Sequence, residues 1–508
     1  MVVSSGDAGT PGVIAHRPGS WFLLRDPGDR RLLDVRCDQG PVTGSVLIEL
    51  DAEEAAAWRS GGVAAIDDLA RRIADSAPLA RASSSAYRSR DLSATEAART
   101  DPAVLDFLRR ARSGAGPDHD RGAPAREARA EPRPTRTGDP STQETPMTDP
   151  VAPSDVVAAL RRPVAPPPAA IAAQARERLA ALATPPGALG GVGELAVWWA
   201  ACTGRPAPDA PQAVRLVIFA GDHGVAGSGV SAFPPAITGA MVRTFLSGRG
   251  GVNVLARRHD VAVRVLDLAV DEDLPDLDPE VRARVQQYKV RRASGSIERQ
   301  DALTREEAER AIAAGAAVAA EEIAAGADLL LSGDMGIGNT TPAAALVAAA
   351  LGLDPAEAAT VTGRGTGIDD AALAHKAAVV RAALERTRAR WHDPVDTLAA
   401  LGSADLAAAA GYLAAAAHAG IPVLLDGLMS VACAVSAERL APGCAAWFAA
   451  GHRSPEPAQR LALDHLGLVP LLDLGMRLGE GSGAVVAVPL VRSAADLLRD
   501  VALLSDLG

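Results

Sequence analysis

Aromatic residues are scarce in this chain, at 3% of 508 positions. A core with so few rings must be built from Ala, Val and Leu. Cysteine is scarcer still. Cys37, Cys202, Cys433 and Cys444 are scattered and form no CxxC pair. That pattern excludes a disulfide scaffold and gives no sign of a zinc knuckle or redox pair. It fits a reducing compartment, so a cytoplasmic location is expected. Lysine is nearly absent, with only Lys289 and Lys376 among 51 basic residues. The net charge of −11 leaves no basic footprint for nucleic acid. No GxxxxGK[ST] loop occurs, which excludes a P-loop kinase. Residues Met1–Ser20 lack a basic segment followed by an apolar one, so no secretion signal is expected. The longest uncharged stretch, Leu406–Leu425, is Ala-rich and broken by Gly420 and Pro422. A membrane span needs ~20 strongly apolar residues. This stretch reads instead as a buried helix, a turn and a strand, and no membrane partner is expected.

What is present falls into three regions. Residues 1–112 carry a few elements: strands at Arg31–Arg36 and Ser45–Leu50, and one or two helices over Ala52–Ala74. This predicts a separate small α/β domain of unknown role. Residues 113–153 are rich in Gly, Pro, Arg, Asp, Glu and Thr with almost no large apolar side chain. Such a segment cannot bury enough surface to offset chain entropy, so a disordered linker is expected. Residues 154–508 alternate apolar runs with helical stretches. Strands are predicted at Val214–Ala220, Val261–Asp267, Asp328–Ser332, Ile421–Asp426 and Ala445–Ala450, with a helix at Arg305–Ala325. That alternation predicts an α/β fold, a mostly parallel sheet flanked by helices in the Rossmann-like manner. Ligands bind such sheets at the carboxyl ends of the strands.

Five loops follow strands or glycine turns there. Gly221-Asp222-His223-Gly224 would place a carboxylate and an imidazole at the ligand edge, although capping and local packing also explain them. The segment Ser332-Gly333-Asp334-Met335-Gly336-Ile337-Gly338-Asn339-Thr340-Thr341-Pro342 precedes a helix. Thr340 or Thr341 is expected as its N-cap, with Pro342 in the first turn. A helix N-terminus facing a glycine loop suits a phosphate. Thr362-Gly363-Arg364-Gly365-Thr366-Gly367 fits an anion nest or a plain turn equally well. Gly451-His452-Arg453-Ser454-Pro455-Glu456-Pro457 offers groups suited to a carboxylate or phosphate, or a surface turn. Last, Arg477-Leu478-Gly479-Glu480-Gly481-Ser482-Gly483 carries a carboxylate between glycines. Burial would raise its pKa and make it a proton acceptor near neutrality. A solvated loop glutamate fits the same letters.

Taken in order, FAGDHGV, GDMGIGNTTPAAAL, GRGTGID, LDGL, GHRSPEP and PLLDLGMRLGEGSGA closely resemble the nicotinate-nucleotide–dimethylbenzimidazole phosphoribosyltransferases. The motif PPGALGGVGELA at Pro185–Ala196 resembles the same family, and the resemblance spans about residues 155–508. It implies transfer of the phosphoribosyl group of nicotinate mononucleotide to 5,6-dimethylbenzimidazole, giving α-ribazole 5′-phosphate and nicotinate. The leaving group is already a pyridinium, so its departure needs no acid and no metal or other cofactor. The main need is one base for the attacking heterocycle's proton. Carried over by motif, Glu480 is that base. Asp334, Met335, Gly336, Gly338, Asn339, Thr340, Thr341, Gly365 and Lys376 are implied phosphate and ribose contacts or their neighbours. Asp222, His223, Ser231 and Phe233 are implied near the aromatic base, and Arg477, Leu478 and Gly479 lead into Glu480. Asp334 stands where the family usually has a glutamate, Pro235 where it commonly has a glutamine, and Ala458-Gln459 where it often has Gly-His. The resemblance also implies a small helical subdomain built from both ends of the region, and a homodimer. Transfer to another base, such as adenine or a phenol, and a nucleotide-binding regulator without turnover are the alternatives.

Overall fold

The computed structural model describes residues 12–17, 21–39, 42–76, 85–92 and 151–507. The chain divides into two compact units, Met1–Glu144 and Thr145–Gly508. Of the expected linker, residues 113–150 lie outside the described residues, and Pro153 already begins a helix, Pro153–Leu160.

In the first unit, β1 (Gly12–Arg17), β2 (Trp21–Arg25), β3 (Arg31–Gln39) and β4 (Val42–Glu49) form an antiparallel meander. The helix Ala52–Asp75 is interrupted at Gly62. Its Ile66, Leu69 and Ile73 pack on Trp21, Leu23, Val35 and Ile48 of one sheet face. Two of these strands, β1 and β2, escaped sequence reading although Thr10-Pro11-Gly12, Pro18-Gly19-Ser20 and Asp26-Pro27-Gly28-Asp29 bound them, because five or six residues carry too little period.

The second unit holds a six-stranded parallel sheet. Its strands are β5 (Val214–Gly221), β6 (Val261–Ala269), β7 (Leu329–Met335), β8 (Val423–Leu425), β9 (Phe448–His452) and β10 (Pro470–Leu472). The order is β10-β9-β8-β7-β5-β6. Chain order therefore reverses at β5, which pairs with β6 on one side and β7 on the other. That reversal opens a crevice beyond the carboxyl ends of β5 and β7. Alternate residues of β5 feed opposite layers: Val217 and Phe219 join one core, Leu216, Ile218 and Ala220 the other.

On the first face the helices Arg305–Ala324 and Ala404–His418 lie almost backbone to backbone. A Cβ at Gly315 would overlap the Ala408 carbonyl, and one at Gly411 the Ile312 carbonyl. This explains an Ala-rich segment with almost no exposed residue. It is followed by a left-handed Gly420 and then β8, as the sequence predicts. Among the described residues no helix is long and apolar enough to cross a membrane.

On the second face, the helices Ala169–Ala181 and Gly190–Thr203 join the C-terminal helix Ser482–Asp500. Arg178 donates to the carbonyls of Leu498 and Arg499 at 2.6 and 2.7 Å, and Leu182 pairs with Leu503. This is the helical subdomain drawn from both ends of the region. One strand expectation shifts, and one strand was not expected. Cys444–Trp447 is a short 3-10 helix, so β9 starts at Phe448. The edge strand β10 has too few residues to show a pattern.

Candidate active site

Loops after β5, β7, β8 and β9, with Gly365-Thr366 and the loop before the last helix, surround an open cavity of about 130 Å³. β7 runs to Met335, so Asp334 projects from a strand end and not from the following loop. Its register partner on β5 is Phe219. Asp334 Oδ2 accepts from Asn339 Nδ2 at 2.7 Å. Burial, with Asp426, Asp405 and Glu480 nearby, drives its carboxyl well above the usual carboxylate range.

The helix Thr340–Ala350 points its N-terminus at the cavity through Gly338, Asn339 and Thr340. Asn339, and neither threonine, occupies the N-cap, and no side chain caps the end. A tight turn, in which Thr341 N–H donates to the Gly338 carbonyl at 3.0 Å, starts the helix one residue early. Lys376 is buried behind this end. Its ammonium donates to Thr340 Oγ1 at 2.7 Å and to the Gly363 carbonyl at 3.0 Å. Burial lowers its pKa to about 8.

The Gly365 amide is not free for an anion, because it donates to Glu456 Oε1 at 2.7 Å. Glu456, His452 and Ser454 line the cavity from the β9 loop. Gln459 holds that loop. Its Oε1 accepts from Ser454 N and Oγ at 2.6 and 2.7 Å, and its Nε2 donates to the His452 carbonyl at 2.9 Å.

Glu480 is buried, with 6% of its surface exposed. The number matters because a carboxylate in open solvent would keep its ordinary pKa. Burial, aided by the Asp426 charge, pushes this one up to about 7, against one hydrogen bond from Val252 N–H to Oε2 at 3.0 Å. Gly333 permits the approach, since a Cβ there would overlap the Glu480 carbonyl. A carboxyl poised near 7 can take a proton from a heterocyclic N–H at neutral pH. Among the described residues no cluster of His, Cys, Asp or Glu could hold a metal ion.

A family model described as phosphoribosyltransferase matches residues 164–508. The nicotinate-nucleotide–dimethylbenzimidazole phosphoribosyltransferase of Mycolicibacterium paratuberculosis is 53% identical over 345 residues, spanning 68% of this chain and 96% of that protein. The chain belongs to the phosphoribosyltransferase family. A second relative of that name, from Mycobacterium tuberculosis, is 51% identical over 346 residues, 68% of this chain and 93% of its own. Among solved structures, CobT from Thermus thermophilus aligns with a TM-score of 0.62 and 44% identity, covering 67% of this chain and 98% of that one. The match leaves residues 1–163 outside the phosphoribosyltransferase region.

Within that region the structure brings Ser231, Asp334, Gly338, Asn339, Thr340, Gly365, Arg477, Leu478 and Gly479 onto one cavity wall. Glu480 sits one residue inside it. Asp222, His223, Phe233, Met335, Gly336, Thr341 and Lys376 do not line the wall. Asp222 Oδ2 instead accepts from Asp271 N–H at 2.8 Å. His223 is buried behind Gly336, with Nε2 3.5 Å from Asp405 Oδ2. Asp405, Asp426, Gln459 and Thr366 were not singled out as site residues. Asp426 had a signal, since it ends an apolar run before a glycine. Asp405 had none.

Proposed function

We propose that this phosphoribosyltransferase moves the phosphoribosyl group of nicotinate mononucleotide to 5,6-dimethylbenzimidazole, giving α-ribazole 5′-phosphate and nicotinate in cobalamin nucleotide-loop assembly. The observation that carries the reading is Glu480, a buried carboxylate with a pKa of about 7 beside the crevice where the strand order reverses. A benzimidazole seated against Leu478 and Gly479 presents its N–H to Glu480. The base removes that proton as the other ring nitrogen attacks the anomeric carbon. Attack opposite the nicotinate inverts that carbon, which turns a β nucleotide into an α product. The pyridinium leaves as neutral-ring nicotinate, so one base suffices.

The uncapped N-terminus of Thr340–Ala350 is the phosphate cradle in this reading. Because Lys376 Nζ donates to Thr340 Oγ1, the hydroxyl's own proton is free to point into the cavity. The activity resides in residues 154–508, with 1–112 a separate small domain and 113–153 a linker. The enzyme works in the cytoplasm as a homodimer.

The test is nicotinate release from the mononucleotide by the full chain. Release that depends on 5,6-dimethylbenzimidazole is expected. Release that ignores every benzimidazole, or none at all, removes the proposal. Adenine and phenol as competing acceptors decide the preferred base.

A further inference from the structure

Glu480 is fastened from outside its own loop. Its φ is 65°, between Gly479 at 75° and Gly481 at 89°. Three left-handed residues in a row hold no one shape by themselves, and the glutamate among them carries strain. The helix that follows, Ser482–Asp500, begins on a glycine that has no side chain to cap it. Asp426, just past the end of β8, meets both needs. Its Oδ2 accepts from Gly481 N–H at 3.1 Å, and its Oδ1 accepts from Gly483 and Ala484 N–H at 2.7 and 3.0 Å. The side chain is fully buried and forms no part of the cavity wall.

We propose that Asp426 is a positioning residue for the transfer: reaching from β8, it caps the C-terminal helix and so sets where the Glu480 carboxylate points. This rests on the reading of Glu480 as the base. The charge of Asp426 contributes besides its shape, because it adds to burial in holding the Glu480 proton. The other titratable groups in the surroundings are Asp334 on β7, with Asp405 near it, and, behind Asp426, His452 of β9, whose Nε2 is 3.4 Å from Asp426 Oδ1. Burial opposes a charge on His452, but Asp426 outweighs it and holds the imidazole above its usual value. From the side of Val252 only a backbone N–H reaches Glu480.

Asp426→Asn keeps the volume but turns one acceptor into a donor facing an N–H. The expected result is a fall in kcat of roughly 10- to 100-fold, as for a displaced catalytic group, with KM for nicotinate mononucleotide nearly unchanged. The acid limb of kcat/KM moves down by about one pH unit, because a neighbouring negative charge is gone. A merely structural defect would lower the active fraction and leave that limb in place. Asp426→Ala is expected to lose more of kcat in the same direction. In the unmutated enzyme the amides of Gly481, Gly483 and Ala484 exchange slowly with deuterium; fast exchange there overturns the proposal even if neither variant folds. Glu480→Gln is measured alongside. If it keeps turnover, the base reading falls. If it is dead while Asp426→Asn keeps both kcat and the limb, the base stands and the positioning role falls.

Discussion

A carboxylate's role here is set by what surrounds it. Glu480 and Asp276 illustrate the range: the Arg243 guanidinium holds exposed Asp276 down at about 2, and burial holds Glu480 near 7. The direction of the pH effect follows. Below about 7 Glu480 carries its own proton and cannot accept another, so kcat/KM, which reports the free enzyme, is expected to fall as pH drops through that value. A profile flat from pH 5 to 8, measured with saturating acceptor, would contradict it. Glu480→Gln should lose about 10²- to 10⁴-fold in kcat while still binding nucleotide, read by calorimetry. Lys376→Met removes the donor that orients Thr340, so KM for the mononucleotide should rise about tenfold, with a smaller change in kcat. The local letters single out Glu480 and the Gly336–Thr341 loop because glycines flank a polar group in both. They could not disclose that Glu456 takes the Gly365 amide, since those residues lie 91 positions apart.

At the level of elements, small residues have opposite uses. In Arg305–Ala324 and Ala404–His418, glycine lowers helix propensity but lets two backbones touch. Gly411→Ala would improve propensity by about 1 kcal/mol in isolation. Here its methyl meets the Ile312 carbonyl, and overpacking of about 1–3 kcal/mol should win. Urea melts that show stabilisation would refute the close-packing account. Apolar runs ending in Gly- or Asp-containing loops revealed five of the six strands in the parallel sheet. β10 stayed hidden because three residues, each half-buried, carry no period. The threonines promised an N-cap at Thr340 or Thr341, yet a tight turn at Gly338 gave that place to Asn339.

At the scale of the molecule, the two units suggest a clean excision. A chain of residues 145–508 is expected to fold cooperatively and keep kcat within about threefold, since the second unit carries its own core. Loss of turnover with the fold intact, judged by circular dichroism, would assign the first unit a part in catalysis. The amino-acid order alone was enough for the alternation of strand and helix, the parallel sheet and the loops bearing chemistry, because hydrophobic period and glycine position are local properties. Which loops share a cavity, which amides are already taken and how high a carboxyl titrates depended on three-dimensional packing. Those properties come from groups far apart in the chain, and from water excluded only once the sheet and its helices have closed around them.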